Sequence, residues 1–350
     1  SWANWHFADF HPDFALPTFW TFWSQAMTDS SRSIGWPLHL SLLALAVAFP
    51  FVFSTSFMVN FGVLALFYAF IGQSWNIAGG FAGQLSFGHV VFFGAGAYAS
   101  TILQLRFGMN PWLGLPASAI AGGIVGGIIG FLSFRAGLKG SYFALITLAF
   151  AEVLRILVNS VEFTGGGLGL LIPAKIGANN FQFSERIGFY FVILTLTVVS
   201  VAIAVWLKHS RFGAQLAAIR ENEDAAMALG INVFNEKVKV MVLSGAMCGI
   251  GGSFFAQYFL YIDPTIVFGV DKSVEMLLVS MIGGAGTVYG PLIGAVLLAG
   301  VSDATRVLTN VQGLSLVLYG TLLVIIIAFL PNGLIDLFKR LSKRIQQRGQ

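Results

Sequence analysis

Residues 33–105 contain no Asp, Glu, Lys or Arg, and nothing constrains the fold of this chain more. Five further charge-free runs follow, at 107–134, 187–207, 240–262, 276–302 and 307–335. A bilayer hydrocarbon core about 30 Å thick takes roughly 20 apolar residues in a helix. Each run is long enough to cross, and the first holds three crossings. Only 10% of the 350 residues are charged, against roughly 25% in an ordinary soluble domain. The pattern sets aside a soluble globular fold and reads as an all-α polytopic membrane protein.

Ten segments read as transmembrane helices: 36–53, 57–78, 90–105, 112–134, 141–159, 187–207, 238–259, 273–283, 289–305 and 313–330. The eighth is too short to cross alone and reads as tilted or broken. Basic residues set the orientation. The tail holds Lys339, Arg340, Lys343, Arg344 and Arg348. The loop after the sixth span holds Lys208, Arg211, Arg220, Lys237 and Lys239, and the link after the fourth holds Arg135 and Lys139. The positive-inside rule puts all three in the cytoplasm, and ten spans then put both termini there. Three parts follow. Residues 1–35, with Trp2, Trp5, Trp20 and Trp23, read as an aromatic-rich interfacial segment without a cleavable-signal pattern. Residues 36–331 form the transmembrane domain with a cytoplasmic loop at 208–237, and residues 332–350 form a basic cytoplasmic tail.

Glycine punctuates the spans. Gly122, Gly126 and Gly130 share one helical face, as do Gly290 and Gly294, and small residues at this spacing read as helix packing. The second span runs into the glycine-rich stretch 79–88, which ends in Phe87-Gly88, and the seventh runs on to Phe268-Gly269. Three spans follow in each half. The two copies would face opposite ways, which suggests the inverted-repeat plan of many transporters.

The residues that carry chemistry are few. There is no G-x-x-x-x-G-K-[ST] loop, no G-x-S-x-G elbow and no H-E-x-x-H motif. The single cysteine, Cys248, lies in an apolar span and reads as a small buried hydrophobe. No catalytic residues, metal ligands or cofactor are expected, and no nucleic-acid partner; the basic residues face lipid headgroups. Glu152 and Arg155 stand one helical turn apart, where a structural ion pair is favoured over a transport role. Residues 79–98 hold six glycines. A broken backbone in a membrane belongs inside protein or against a cavity. Gln84, Ser86 and His89 either meet a polar solute on a translocation path or satisfy that broken backbone, and the two readings stand level.

Residues 210–232 form a polar island. Asn222 suits an N-cap, Glu223 and Asp224 suit the first turn, and Gly230 suits the position just past a helix end. A two-turn surface helix is expected at 223–229. Phe212, Leu216, Ile219 and Met227 make an intermittent apolar stripe, and Ala225, Ala226 and Ala228 leave a smooth face for a partner's groove. Pattern alone slightly favours an ordinary solvated loop helix.

Four motifs then stand in order: GQLSFGH at 83–89 with FFGAGAY at 92–98, GSYFALITLAFA at 140–151, AIRENEDAA at 218–226 with ALGIN at 228–232, and GGAGTVYGP at 283–291. Together they resemble branched-chain amino-acid ABC permeases of the LivM type. The resemblance implies an ABC importer permease fold in a bacterial inner membrane, translocating branched-chain or related amino acids. It implies as partners a homologous second permease subunit, two ATP-binding subunits, and a periplasmic or extracellular solute-binding protein. Arg220, Glu221, Glu223, Asp224, Ala225, Ala226 and Gly230 would couple the chain to the ATPase, with 224–230 as the coupling helix. Two features depart from the general pattern of such loops: Asp224 stands where Glu is usual, and the distal Pro is absent. Related permeases for urea, amides or other small solutes share much of this layout, and a stand-alone secondary carrier is the further alternative.

Overall fold

The computed structural model describes residues 36–308 together with 317, 318, 320, 321 and 334. The interfacial segment expected at 1–35, and all but those few positions of the tenth span and the basic tail, lie outside the described residues. The chain divides into two units, residues 1–52 and 53–350. The described part of the first is one helix, α1 (Trp36–Val52).

The second unit is almost wholly helical. Its helices are α2 (Ser56–Asn76), α3 (Val90–Phe107), α4 (Pro111–Arg135), α5 (Gly140–Ser160), α6 (Arg186–His209), α7 (Arg211–Glu221), α8 (Glu223–Ala228), α9 (Val233–Phe259), α10 (Pro264–Val267), α11 (Val270–Gly283) and α12 (Gly290–Leu308). A π-helical turn, Ile77–Phe81, prolongs α2. Two short strands, β1 (Leu170–Leu171) and β2 (Tyr261–Ile262), pair antiparallel with Leu170 opposite Ile262.

Six helices among the described residues are long and apolar enough to cross a membrane: α2 with its π turn, α3, α4, α5, α6 and α9. Shorter apolar stretches lie in α1 and α12. The chain is thus a multi-pass helical membrane protein, while the expected count of ten is not reached among the described residues. With 14 residues, α11 rises only about 21 Å, short of a bilayer core, as the eighth span was expected to be. The seventh span, expected from 238, begins earlier, at Val233. Its first turns carry Glu236 and Lys237, both buried, because ion pairs to Lys239 and Glu223 let the helix carry these charges.

The core is built around α2 and α9. Helix α2 packs on α6, α11 and α12, and α9 packs on α3 and α4. Glycine sets the α4–α9 crossing. A Cβ on Gly122 would strike the Gly245 carbonyl, one on Gly245 would reach the Gly122 carbonyl at 2.5 Å, and one on Gly249 would strike the Ser118 carbonyl. The packing role expected for the Gly122–Gly126–Gly130 face is what these contacts describe. Hydroxyls tie α2 to its neighbours: Ser280 Oγ donates to the Gly72 carbonyl at 2.6 Å, and Thr197 Oγ1 donates to the Leu66 carbonyl at 3.1 Å. Phe67, Phe93, Phe254 and Phe255 fill the space between with ring centroids about 6 Å apart.

The connections segregate to two ends. At one, the β1–β2 ribbon joins residues 170–171 to 261–262, and Trp112 stacks on Phe181 at 4.4 Å. At the other, the π turn, the 136–139 link, α7, α8 and the α11–α12 turn come together.

Candidate functional site

The polar island is two helices rather than one. Ser210 caps α7, its side chain accepting from the Gly213 N–H at 3.0 Å. Asn222 ends α7 and opens α8: its Oδ1 accepts from the Asp224 and Ala225 N–H groups, both at 3.0 Å. The chain leaves α8 through Gly230 at φ +82°, with the Gly230 N–H on the Met227 carbonyl at 2.9 Å and the Ile231 N–H on the Ala226 carbonyl at 3.1 Å. This is a left-handed glycine stop. The helix expected at 223–229 therefore ends at Ala228, with Leu229 as its cap.

The expected apolar stripe does not survive the turn at Asn222. Leu216 and Ile219 are buried under α7, whereas Met227 is 51% and Leu229 78% exposed on α8. Ala226 is buried, so the smooth alanine face is split: Ala226 seats α8 on the protein, and Ala225 and Ala228 stand outward with Asp224, Met227 and Leu229. Of the expected coupling residues, Arg220, Glu221, Asp224, Ala225 and Gly230 are exposed. Glu223 is half-buried, and the exposed Arg220 reaches back to the bundle through its guanidinium.

Arg220 ties α7 to the broken end of α2. Its guanidinium donates to the Gly80 carbonyl at 3.1 Å and to Glu221 Oε1 at 3.1 Å. Gly83, at φ +68°, lies where a Cβ would approach Arg220 Cγ at 2.7 Å. Asn76 closes the junction from the membrane side. Its Oδ1 accepts from the Gly286 N–H at 2.7 Å, and its Nδ2 donates to the Thr287 carbonyl at 2.9 Å. Gly88 backs against the Thr147 carbonyl. Segments from all four sequence motifs thus meet within one junction. Asn76, Gly286 and Thr287 were absent from the sequence-based site. An amide-bearing residue at the foot of a charge-free span, just before a glycine pair, was the signal available.

Four charges hold α8, with Asp224 3.6 Å from Lys139 beside the pairs of Glu223. Glu223 pairs with Lys237 of α9 and with Lys139 of the α4–α5 link, the latter at 3.1 Å. The Lys237 ammonium also lies 5.0 Å from the Phe134 ring centroid, and Phe134 stacks on Phe143. Burial works against the Glu223 carboxylate, but Lys237 and Lys139 together outweigh it and hold the carboxyl below its ordinary range. A hydrogen bond to Glu223, with its charge, holds Lys139 above its ordinary value. A cavity of about 160 Å³ opens beside this clamp, lined by Phe134, Lys139, Glu223, Met227 and Lys237 among others.

Gln84, Ser86 and His89 are all buried. Gln84 Nε2 donates to the Ala82 carbonyl at 3.0 Å, and Ser86 Oγ accepts from the Gly88 N–H at 3.3 Å. Both contacts satisfy broken backbone. His89 makes a longer reach. Ser244 Oγ donates to the Ser74 carbonyl at 2.6 Å, so its lone pair accepts from His89 Nε2, 2.8 Å away. That assigns the imidazole proton to Nε2 and leaves Nδ1 without a partner. The relay ties α2, α3 and α9. Cys248 is buried, and its thiol approaches the His89 carbonyl at 3.4 Å.

Residues 57–327 match the family described as the branched-chain amino acid transport system permease component, and the chain belongs to that family. It is 29% identical over 322 residues to the high-affinity branched-chain amino acid transport system permease protein LivM of Escherichia coli K12, covering 85% of this chain and 74% of that protein. It is 24% identical over 299 residues to the corresponding LivH protein of Salmonella typhimurium, covering 81% and 96%. An L-arabinose ABC transporter permease, AraH of Azospirillum brasilense, is 27% identical over 269 residues, covering 75% and 74%. No solved structure matches the chain.

Proposed function

We propose that this permease is one half of the membrane passage of an ABC importer for branched-chain amino acids in a bacterial inner membrane, with a cytoplasmic C-terminus. Separate ATP-binding subunits supply the energy by docking on α8, a second homologous permease completes the passage, and a solute-binding protein delivers the cargo. The observation that carries this reading is the outward face of α8. Met227 and Leu229 stand exposed on a helix whose inward residues, Ala226 and Glu223, are anchored to the bundle. Force applied there reaches the broken end of α2 through the adjoining Arg220 contact.

The inverted-repeat plan with ten crossings is part of the same proposal. Helices α3 and α4, which follow α2, pack around α9; α11 and α12, which follow α9, pack around α2. Such an exchange is what two interlocked copies of one unit would give. The presence of both LivM and LivH proteins among the relatives supports pairing with a second, similar chain.

Affinity purification from native membranes tests the proposal. An ATPase and a second permease should accompany the chain, and vesicles holding all subunits should take up leucine only with ATP. The chain alone should hydrolyse no ATP; hydrolysis by it, or uptake by it without partners, would sink the reading. Asp224→Lys should uncouple transport without unfolding the bundle. The arabinose permease among the relatives favours a second reading, in which the same machine carries another small solute. Uptake of arabinose but not leucine by the assembled complex would select it.

A further inference from the structure

Helix α5 carries an ion pair where a lipid-facing helix should have none. Its packed face is Phe143, Ala144, Thr147 and Ala151. The opposite stripe runs through Tyr142, Leu145, Ala149, Glu152 and Ile156, and all five are exposed. Glu152 stands about 18 Å of helix rise from the start of α5 and about 12 Å from its end. Arg155 donates to Glu152 through Nε at 2.9 Å and through Nη2 at 2.5 Å. The side chains of Glu152 and Arg155 are 48% and 30% exposed.

Lipid is the wrong surrounding for this pair. Charged groups at such depth face a bundle interior or a water-filled cavity. Arg155 lies nearer the end of α5 than Glu152 does, and a lipid-exposed arginine there would extend toward the headgroups. Instead its guanidinium folds back one turn, to the deeper carboxylate. The structural ion pair favoured from sequence is formed, and no protein of this chain covers it. The pair also keeps free capacity. A guanidinium has five N–H donors and a carboxylate about four acceptor sites, and two of each are used here.

We propose that the exposed stripe of α5 lines the solute passage, and that Glu152 and Arg155 form a polar station on it for a zwitterion. Arg155 offers N–H donors to the solute carboxylate, and Glu152 offers oxygens to the solute ammonium. The two charges stand side by side, as the two charges of an α-amino acid do. Tyr142, Leu145 and Ile156, above and below, suit a branched aliphatic side chain. The proposal rests on the importer reading and adds to it the wall of the passage and the groups that touch the cargo.

The test uses the complete transporter in vesicles. Cys248 is the sole cysteine, so Cys248→Ala gives a background for single thiols. Ala149→Cys lies one turn from Glu152 on the same stripe; Ile124→Cys, on an exposed apolar face of α4, is the control. The thiolate, whose ionisation needs water, attacks the sulfenyl sulfur of a charged methanethiosulfonate reagent, forming a mixed disulfide and releasing methanesulfinate. Ala149→Cys should react about tenfold faster or more than Ile124→Cys, and leucine under turnover should slow it. Equal rates, or no effect of leucine, would place the stripe against lipid or a packed partner and overturn the proposal. In parallel, Glu152→Gln should lower leucine carried per ATP by about tenfold, with Glu152→Asp recovering part of it. Wild-type yield from Glu152→Gln would also overturn it. A wild-type complex that carries no leucine would fault the importer reading instead.

Discussion

The α4–α9 seam and the junction at the foot of α2 hold the same bundle in opposite ways. Along the seam, Gly122, Gly126, Gly245 and Gly249 set backbone against backbone, with carbonyls filling the space a Cβ would need. No side chain can rotate to absorb a slide, so the two helices move together or not at all. At the junction, long side chains reach across gaps. Arg220 holds Gly80, Asn76 holds Gly286 and Thr287, and Glu223 holds Lys139 and Lys237. Each such bond has a net worth of about 1 kcal/mol, somewhat more where a charge takes part, and can break and re-form singly. Under the proposed coupling, a pull on α7 and α8 would loosen the junction before it disturbed the seam. In that proposal the seam would serve as the lever and the junction as its hold.

The comparison can be broken most severely at the seam. Gly122→Leu should cost about 3 kcal/mol or more, read as loss of monodisperse protein in detergent or a large fall in Tm. A well-folded Gly122→Leu protein would mean that the helices are not locked. At the junction the effect should fall on transport rather than folding. Arg220→Ala and Asn76→Ala should each lower ATP-driven uptake by about tenfold with helix content unchanged, and the double variant should do little worse than either, because both act through the Gly80–Gly286 contact. Full additivity would show two separate roles.

The clamp on α8 should respond to pH. The Glu223 carboxyl is held below its ordinary range. The ionised pair therefore contributes fully above that range, and the contribution is lost as pH falls through the lowered value. Hydrogen exchange in α8 should quicken on acidification, and Glu223→Gln should remove that dependence while costing about 1–3 kcal/mol of local stability. The smallest effect belongs to Gly230→Ala. At φ +82° an L side chain costs about 1 kcal/mol, seen as slight fraying at the end of α8 and a Tm shift of a few degrees.

Much of this architecture was legible in the chain, and the legible parts are the local ones. Asn222 and Gly230 bracket a short helix because a cap and a stop act over three or four residues. Gly122 and Gly126 announce a close helix crossing because their spacing alone puts them on one face. The partner face was less legible: nothing in the spacing of Gly245 and Gly249 says which helix they meet. Arg220 and Gly80 lie 140 positions apart, and no local pattern could join them. Glu236 and Lys237 misled the boundary of α9, since the ion partner that makes burying Lys237 tolerable, Glu223, sits inside the island, across the turn at Gly230.

By itself, then, the sequence determined that this chain is a helical membrane protein, that six of its described helices are long and apolar enough to cross, and that a capped helix interrupts them on a basic loop. Hydrophobic run length and capping chemistry are properties of neighbouring residues, and they need no tertiary knowledge. Only the tertiary structure decided which way the island faces. It turned Met227 and Leu229 outward, tied Arg220 to the Gly80 carbonyl, drew Glu223 against Lys237, and left Glu152 and Arg155 uncovered by the rest of the chain. Those choices depend on which distant backbone carbonyls and charges come within reach, and packing alone sets that.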